Sequence, residues 1–215
     1  MREVLIVGGG IGGVTAALCF SKLGFRPHVF EQAPGLDEVG AGIQLGPNCT
    51  RVLNDLGLGP ALSKIACVPL STEMRDWKSG RVIASRALGD EVEAAYGFPY
   101  YHIHRADLMN VLVEAARKIP TISLHRDACV RGIERSGQRV SVSVNDRRFD
   151  GMLLVGADGI HSAVRAHLFG GENPRFTGNV AWRGLVPADR LPEGLVPPVA
   201  GVWWGPHKHF VHYYV

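Results

Sequence analysis

The sequence concentrates neither basic residues nor long apolar runs, and each shortage excludes a class of protein. Its 215 residues carry a formal net charge of +3, and no stretch gathers Lys and Arg among aromatic residues, so nucleic-acid binding is not expected. No apolar run reaches the roughly 20 residues of a transmembrane helix, so no membrane span is expected. The apolar N-terminus lacks the small-residue cleavage pattern of a signal peptide, and we therefore expect a cytoplasmic protein.

Metal-binding and disulfide patterns are lacking as well. The four cysteines are Cys19, Cys49, Cys67 and Cys129. They include no C-x-x-C pair, so free thiols in a reducing compartment are the simplest interpretation. His207, His209 and His212 lie close in sequence, but His212 would face away from the other two on a strand. No carboxylate lies nearby to orient them, and we expect no bound metal.

A glycine-rich turn follows the first apolar segment, residues 4–7, and precedes an amphipathic helix. Its glycines Gly8, Gly10 and Gly13 have the spacing G-x-G-x-x-G. The first allows a tight turn, the second leaves room for a pyrophosphate, and the third lets the helix pack closely on the strand. The helix N-terminus then offers free N–H groups to the phosphates. This context predicts a dinucleotide site in preference to a plain strand–turn–helix.

A carboxylate after the second predicted strand indicates which dinucleotide is bound. Glu31 lies 18 residues after Gly13 and is placed to accept hydrogen bonds from an adenosine ribose. Because a carboxylate disfavours a 2′-phosphate, NAD or FAD is expected at this site rather than NADP.

Two further segments carry polar residues that a nucleotide could use. Asp158 and Gly159 follow the apolar run 152–157, which fits a strand buried on both faces. The Asp158 carboxylate could accept hydrogen bonds from sugar or ribityl hydroxyls, or equally make an Asx-type turn with Gly159. Arg105 is expected at a helix N-terminus, where the dipole disfavours a cation unless an anion lies close. An exposed arginine without a role is the alternative.

The rest of the chain alternates between helical and strand patterns. Helices are predicted over 47–56, 58–66, 107–118 and 162–169. A β-hairpin is predicted over 67–86 and strands over 121–125, 128–135, 139–145, 148–150, 180–186, 199–204 and 210–215, whereas 87–104 is predicted to be irregular. Because the last predicted strand reaches Val215 without a polar tail, we expect a longer parent chain.

Together these segments resemble the single-component FAD monooxygenases that hydroxylate aromatic rings and are related to p-hydroxybenzoate hydroxylase. The glycine motif with Glu31 is similar to the ADP-binding segment of that family, and residues 40–48 are similar to its loop near the flavin. Arg105 matches an arginine that contacts FAD, and residues 158–165 resemble a second motif for FAD and NAD(P)H. Residues 181–184 and 203–206 look most similar to the salicylate hydroxylase, 3-hydroxybenzoate 6-hydroxylase and 6-hydroxynicotinate 3-monooxygenase branch.

The resemblance implies an α/β fold, with a Rossmann-like FAD-binding domain of the glutathione-reductase type and an interleaved, incomplete β-sheet domain for the substrate. The FAD-binding domain would comprise 1–66 and 101–172, and the substrate domain 67–100 and 173–215. The implied cofactor contacts are Gly8, Gly10, Ile11, Gly13, Glu31, Gln32, Gly42, Ile43, Arg105, Asp158, Gly159 and Arg165. The family's third flavin motif is absent, so residues 1–215 alone are expected to be inactive and to bind FAD weakly.

The reaction implied by the resemblance uses NADH or NADPH, O₂ and a small phenolic carboxylate such as salicylate or a hydroxybenzoate. His209 and Tyr213 are similar to positions that face the substrate and are the candidate catalytic residues, although a surface strand with outward polar rings is the alternative. Gln44 lies where a related member carries a histidine, so the hydroxynicotinate activity is not transferred. A flavoprotein oxidoreductase without oxygen insertion and a truncated, non-catalytic nucleotide-binding fragment remain alternatives. A homodimer is possible.

Overall fold

The structure is a computed structural model that describes residues 2–36, 41–171 and 173–215. Gly40, in the predicted loop near the flavin, lies outside these residues. The chain divides into two compact units, the first comprising Met1–Glu38 and Leu108–Ala181 and the second Val39–Asp107 and Trp182–Val215. The domain bounds expected from the sequence stay a prediction. In the described part of the chain, no helix combines the length and apolar character needed to cross a bilayer.

Strands and short helices alternate along the described residues. In chain order the strands are β1 (Glu3–Val7), β2 (Arg26–Phe30), β3 (Gly42–Leu45), β4 (Ser71–Asp76), β5 (Val82–Ala87), β6 (Tyr101–His104), β7 (Ser123–His125), β8 (Val130–Ser136), β9 (Arg139–Val144), β10 (Arg147–Gly151), β11 (Leu153–Gly156), β12 (Ala200–Gly205) and β13 (Lys208–His212). The helices are α1 (Ile11–Lys22), α2 (Pro47–Asp55), α3 (Gly59–Leu62), α4 (Gly89–Tyr96), α5 (Arg105–Arg117) and α6 (Ala163–Phe169), with a 3₁₀ turn at Ala188–Arg190.

The first unit is built on a parallel sheet with strand order β11-β1-β2-β7. One face of the sheet packs on α1, where Ala17 lies against Val4, Ile6 and Val29. The other face packs on the antiparallel sheet β10-β9-β8, and the buried residues there are Leu5, Phe30, Ala128, Val142 and Val144. Because side chains alternate along β1, this one strand contributes to both cores. The predicted strand–turn–helix at the N-terminus is confirmed.

The expectation that residues 152–157 form a strand buried on both faces is wrong. Within the described residues β11 has a single neighbour, β1, and lies at the edge of the sheet. Met152 and Leu153 are consequently 51% and 41% exposed. An apolar run thus predicted the strand correctly but not its burial, because burial depends on the neighbours that flank it.

The second unit contains a four-stranded sheet with order β13-β12-β4-β5 and a separate two-stranded sheet, β3-β6. The predicted hairpin is confirmed by the antiparallel pair β4-β5. β12 runs parallel to β4, and β13 turns back antiparallel to β12. In the smaller sheet, Gly42 lies opposite His104 and Gln44 lies opposite His102. These registers place residues from distant parts of the sequence on common faces.

Three sequence predictions in the second unit differ from the structure. The segment predicted to be irregular contains α4 and β6, and α4 was not evident because only Val92 in it is buried. No strand forms over 180–186, where Trp182 is 94% exposed and has no strand partner within the described residues. The helix predicted over 58–66 is shortened to α3. In each case the apolar pattern was misleading because tertiary neighbours decide burial.

Candidate functional site

The glycine turn between β1 and α1 is shaped by the close approach of backbone atoms. Gly8 has φ of +102°, and a Cβ atom there would overlap the carbonyl oxygen of Ala157. A Cβ atom at Gly13 would overlap the carbonyl oxygen of Gly8. At Gly10, by contrast, a Cβ atom would meet nothing within 4 Å, and no side chain caps the N-terminus of α1. The N–H groups at this end of Ile11–Lys22 therefore border open space, as a phosphate site requires.

Glu31 lies at the carboxyl end of β2 and braces this turn. Its Oε2 accepts a hydrogen bond of 2.7 Å from the N–H of Gly9, and its Oε1 accepts one of 2.9 Å from the N–H of Ala33. An ionised carboxylate has about four acceptor positions, so two remain for a ligand hydroxyl. The neighbouring Gln32 is exposed. The carboxylate thus fixes the loop after β2 and retains capacity to hold a ribose.

Asp158 follows β11 and holds the N-terminus of α6. Its Oδ1 accepts a 2.5 Å hydrogen bond from the Ser162 hydroxyl, and its Oδ2 accepts N–H bonds from Ala163 at 2.7 Å and from Val164 at 3.3 Å. Ser162 in turn accepts a 2.9 Å bond from the N–H of Arg165. Asp158 therefore caps a helix, instead of forming the Asx-type turn with Gly159 that the sequence also allowed. Both carboxylate oxygens are used in this cap.

The loop from Asp158 to Ser162 is closed by Arg165, whose guanidinium donates to the carbonyl oxygens of Gly159 and Ile160. A cleft of about 340 Å³ opens beside it, lined in part by His161 and Arg165. Pairing of β1 with β11 brings this loop next to Gly8. The first unit therefore gathers the predicted cofactor residues at the carboxyl ends of its parallel strands, where open α/β sheets bind ligands.

The second unit holds the other predicted residues. Ile43 pairs with Ile103, and the N–H of Arg105 donates a 3.2 Å hydrogen bond to the carbonyl oxygen of Ala41. Gly42 lies directly beneath Tyr213, because a Cβ atom at Gly42 would be 2.5 Å from Cε2 of that ring. The structure thus brings Gly42 and Tyr213, both predicted site residues, into contact.

The two candidate catalytic residues have different surroundings. His209 lies on β13 opposite Trp204, and its exposed side chain makes no hydrogen bond within the described residues. Tyr213 follows β13 and is half-buried. Burial raises the pKa of the Tyr213 phenol, while the nearby Arg183 and Arg105 oppose that rise. The Tyr213 phenol therefore ionises less readily than that of an exposed tyrosine.

Sequence reasoning missed the side chains that surround Tyr213. His102 is 1% exposed, and its ring centroid lies 4.6 Å from that of Tyr213 and 5.8 Å from that of Tyr100. The Tyr100 hydroxyl donates a 3.0 Å hydrogen bond to Oε1 of Gln44. Tyr100 and His102 fall in the segment predicted to be irregular. Their alternation could have indicated strand β6 and placed both on one face.

Within residues 2–36, 41–171 and 173–215, no group of three or more His, Cys, Asp or Glu side chains is arranged to hold a metal ion. The candidate site in these ranges therefore consists of backbone N–H groups, carboxylates and aromatic rings.

Comparison with known proteins identifies the class to which this architecture belongs. The family described as FAD binding domain matches residues 1–203, and the chain belongs to that family. A solved structure of an HpxO variant from Klebsiella pneumoniae in complex with FAD superimposes with a TM-score of 0.79 at 25% identity, covering 98% of this chain and 53% of that one. The predicted FAD-binding α/β fold and the FAD cofactor are thereby confirmed.

Curated relatives narrow the class to aromatic hydroxylases. The chain is 40% identical over 211 residues to 3-amino-4-hydroxybenzoate 2-monooxygenase PtmB3 of Streptomyces platensis, covering 98% of this chain and 52% of the relative. It is 38% identical to 3-hydroxybenzoate 6-hydroxylase 1 of Aquipseudomonas alcaligenes, covering 99% and 54%. The predicted resemblance to FAD-dependent aromatic hydroxylases is therefore confirmed. The chain spans about half the length of the curated relatives it matches.

Proposed function

We propose that the protein is an NAD(P)H- and O₂-dependent FAD monooxygenase that hydroxylates a small phenolic carboxylate, such as salicylate or another hydroxybenzoate. The observation that carries this proposal is the uncapped N-terminus of α1 above the open face of Gly10, with the Glu31 carboxylate beside it. Hydroxybenzoate monooxygenases among the relatives support the substrate class. A cytoplasmic location and a homodimer stay predictions.

The residues proposed to hold FAD fall into four groups. The glycine turn with Ile11 would hold the pyrophosphate, and Glu31 with Gln32 would hold the adenosine ribose. Asp158 and Gly159 before α6, and Arg165 in its first turn, would also contact the cofactor, and the cap fixes their positions. Gly42, Ile43 and Arg105 are proposed as flavin contacts. Once bound, FAD supplies the chemistry of hydride acceptance and oxygen activation.

The second unit is proposed to orient the aromatic substrate. The Tyr213 hydroxyl, whose pKa is raised by burial, would donate a hydrogen bond rather than accept a proton. His209 is exposed, and its imidazole would be the base that accepts the phenol proton. Loss of that proton makes the ring more electron-rich, which favours attack on an electrophilic oxygen.

Substrate-stimulated NADH oxidation tests the reaction. The protein, expressed at the full length that its gene encodes and loaded with FAD, is tested with a panel of monohydroxybenzoates under ¹⁸O₂. We expect one substrate to accelerate NADH or NADPH oxidation and to gain a single ¹⁸O atom, detected by mass spectrometry. Stimulated NADH oxidation with no hydroxylated product would favour an oxidoreductase that does not insert oxygen.

A variant in the glycine turn tests the cofactor site. Gly10→Val places a side chain in space that is open in the structure, so it should leave folding intact while blocking the pyrophosphate. The expected result is an unchanged melting temperature without FAD and a loss of yellow colour after purification. Retention of FAD by this variant would contradict the proposed phosphate site.

A further inference from the structure

The aromatic contacts around Tyr213 assign a role to a residue that neither the sequence motifs nor the proposed function uses. His102 lies at the centre of β6, and its backbone is fixed by two 2.8 Å hydrogen bonds with Cys67. On the neighbouring strand β3 it faces Gln44. The side chain is therefore attached to a doubly paired backbone and has little freedom to shift.

The imidazole of His102 is enclosed without a polar partner. Its Nε2 atom has no hydrogen-bond partner within the described residues. Burial lowers the pKa of His102 to about 4, so the ring is neutral at any pH near 7. A neutral ring with an unpaired nitrogen contributes here mainly through its shape and its aromatic face.

The Tyr213 ring packs on one face of the two-stranded sheet β3-β6. His102 lies on that face, and its ring is tilted by 48° to the Tyr213 ring at a centroid distance of 4.6 Å. Gly42 lies on the same face, where even a methyl group would be 2.5 Å from Cε2 of the Tyr213 ring. Tyr213 lies just after the end of β13, so strand pairing does not fix it. Its position therefore depends on these two contacts.

We propose that His102 is a positioning residue, whose imidazole packs against the Tyr213 ring where that ring lies over Gly42 and so fixes the direction of the Tyr213 hydroxyl. This inference rests on the proposed function for its catalytic consequence, since it is Tyr213 that would contact the substrate. The ring of His102, rather than its nitrogen, does the positioning. A phenyl ring at this site should therefore replace it, whereas an aliphatic side chain should not.

Titration of the Tyr213 phenol tests the contact without turnover. Protein labelled with ¹³Cζ-tyrosine is titrated by NMR, and the Tyr213 signal is assigned with Tyr213→Phe. In His102→Ala the Tyr213 ring loses its aromatic neighbour and a cavity opens, so water reaches the phenol and its pKa should fall toward that of a free phenol. In His102→Phe the titration should match that of the parent protein. An unchanged titration in His102→Ala would overturn the proposal, as would a His102→Phe titration resembling that of the Ala variant.

Tyr101→Ala provides a matched control for the loss of a buried ring. Tyr101 is 8% exposed and neighbours His102 on β6, so its side chain points to the opposite face of the strand. This variant should lose stability without moving the Tyr213 titration. If His102→Ala does not fold, Gly42→Ala displaces the same ring from the neighbouring position on the sheet and should also shift the titration. No shift in Gly42→Ala would then count against the proposed positioning of Tyr213.

Kinetics separate this inference from the proposed function. In the FAD-loaded enzyme, His102→Ala should lower kcat by about tenfold to a hundredfold, because a small misplacement of a substrate-contacting group has that effect. His102→Phe should restore most of the rate. If the parent protein hydroxylates no substrate, the proposed function fails, while the NMR titration still decides whether His102 positions Tyr213.

Discussion

The two units carry their candidate functional residues in different ways. In the first unit the site is made largely of backbone: Gly8 and Gly13 touch neighbouring backbone atoms, and Gly10 leaves the helix N-terminus open. In the second unit the candidate site is made of side chains, with Tyr213 packed on His102 and Gly42. The first arrangement is encoded within a few consecutive residues, whereas the second is assembled from strands far apart in the sequence.

This difference sets how each unit should respond to substitution. A backbone-built site has no side chain to rearrange, so an added methyl group must displace the main chain itself. A side-chain cluster can lose one member and repack around the gap, although its geometry then changes. We therefore expect substitutions at the closely packed glycines Gly8 and Gly13 to act on folding and those around Tyr213 to act first on local geometry.

The largest effect is expected from Gly13→Ala. A Cβ atom at Gly13 would overlap the carbonyl oxygen of Gly8, and neither backbone can move without separating α1 from β1. We expect the free energy of unfolding to fall by about 3 kcal/mol or more, measured by denaturant titration of the full-length protein. Binding of FAD should be lost as well.

The neighbouring glycine supplies the control for this variant. Gly12 is exposed within the same helix, and a Cβ atom there meets nothing within 4 Å. Gly12→Ala should be neutral or should stabilise the helix by about 0.5–1 kcal/mol, since alanine is the better helix former. Equal stability of the two variants would show that close packing at residue 13 is unimportant, and the contrast between the units would fail.

The sequence predicted the backbone-built site of the first unit better than the side-chain cluster of the second. The glycine spacing predicted α1, and Gly24 and Gly57, which both have positive φ, follow the ends of α1 and α2 as helix-ending glycines do. Helix α4 was missed because a helix with one buried residue shows no apolar period. His102 was missed because its importance arises only when the fold brings it to Tyr213.

A second prediction concerns the pH dependence of stability and compares the parent protein with His102→Phe. The pKa of His102 falls from 6.5 to about 4 on folding, so the unfolded chain binds a proton below about pH 6.5 that the folded chain does not bind until pH 4. The titration of His102 therefore does not change the stability above about pH 6.5. As the pH falls further, it lowers the free energy of unfolding progressively, by up to about 3 kcal/mol. His102→Phe removes the titrating group.

The measurement is the free energy of unfolding at pH 7.5 and at pH 4.5. His102→Phe should lose less stability across this interval than the parent protein does. In the first unit, burial and the neighbouring His28 and Arg147 lower the pKa of His125, and in the second unit burial and Arg75 lower that of His212. The parent protein therefore contains further groups whose effect has the same sign. Identical acid sensitivity of the parent and His102→Phe would mean that His102 titrates normally and is not enclosed.

The smallest effect is expected from Asp158→Asn. This variant also distinguishes a carboxylate that caps α6 from one that binds the ligand. Both oxygens of Asp158 accept hydrogen bonds at the N-terminus of α6, and an amide supplies only one acceptor oxygen. Without FAD, the free energy of unfolding should fall by about 1–2 kcal/mol.

Asp146→Asn is the control, because Asp146 is exposed with φ of +61°, which asparagine also tolerates. If Asp158→Asn left stability unchanged but weakened FAD binding, the carboxylate would serve the ligand and not the helix. Loss of both stability and FAD binding would show that the first unit also uses a side chain to shape its site. The two units would then differ less than their glycine turn and aromatic cluster suggest.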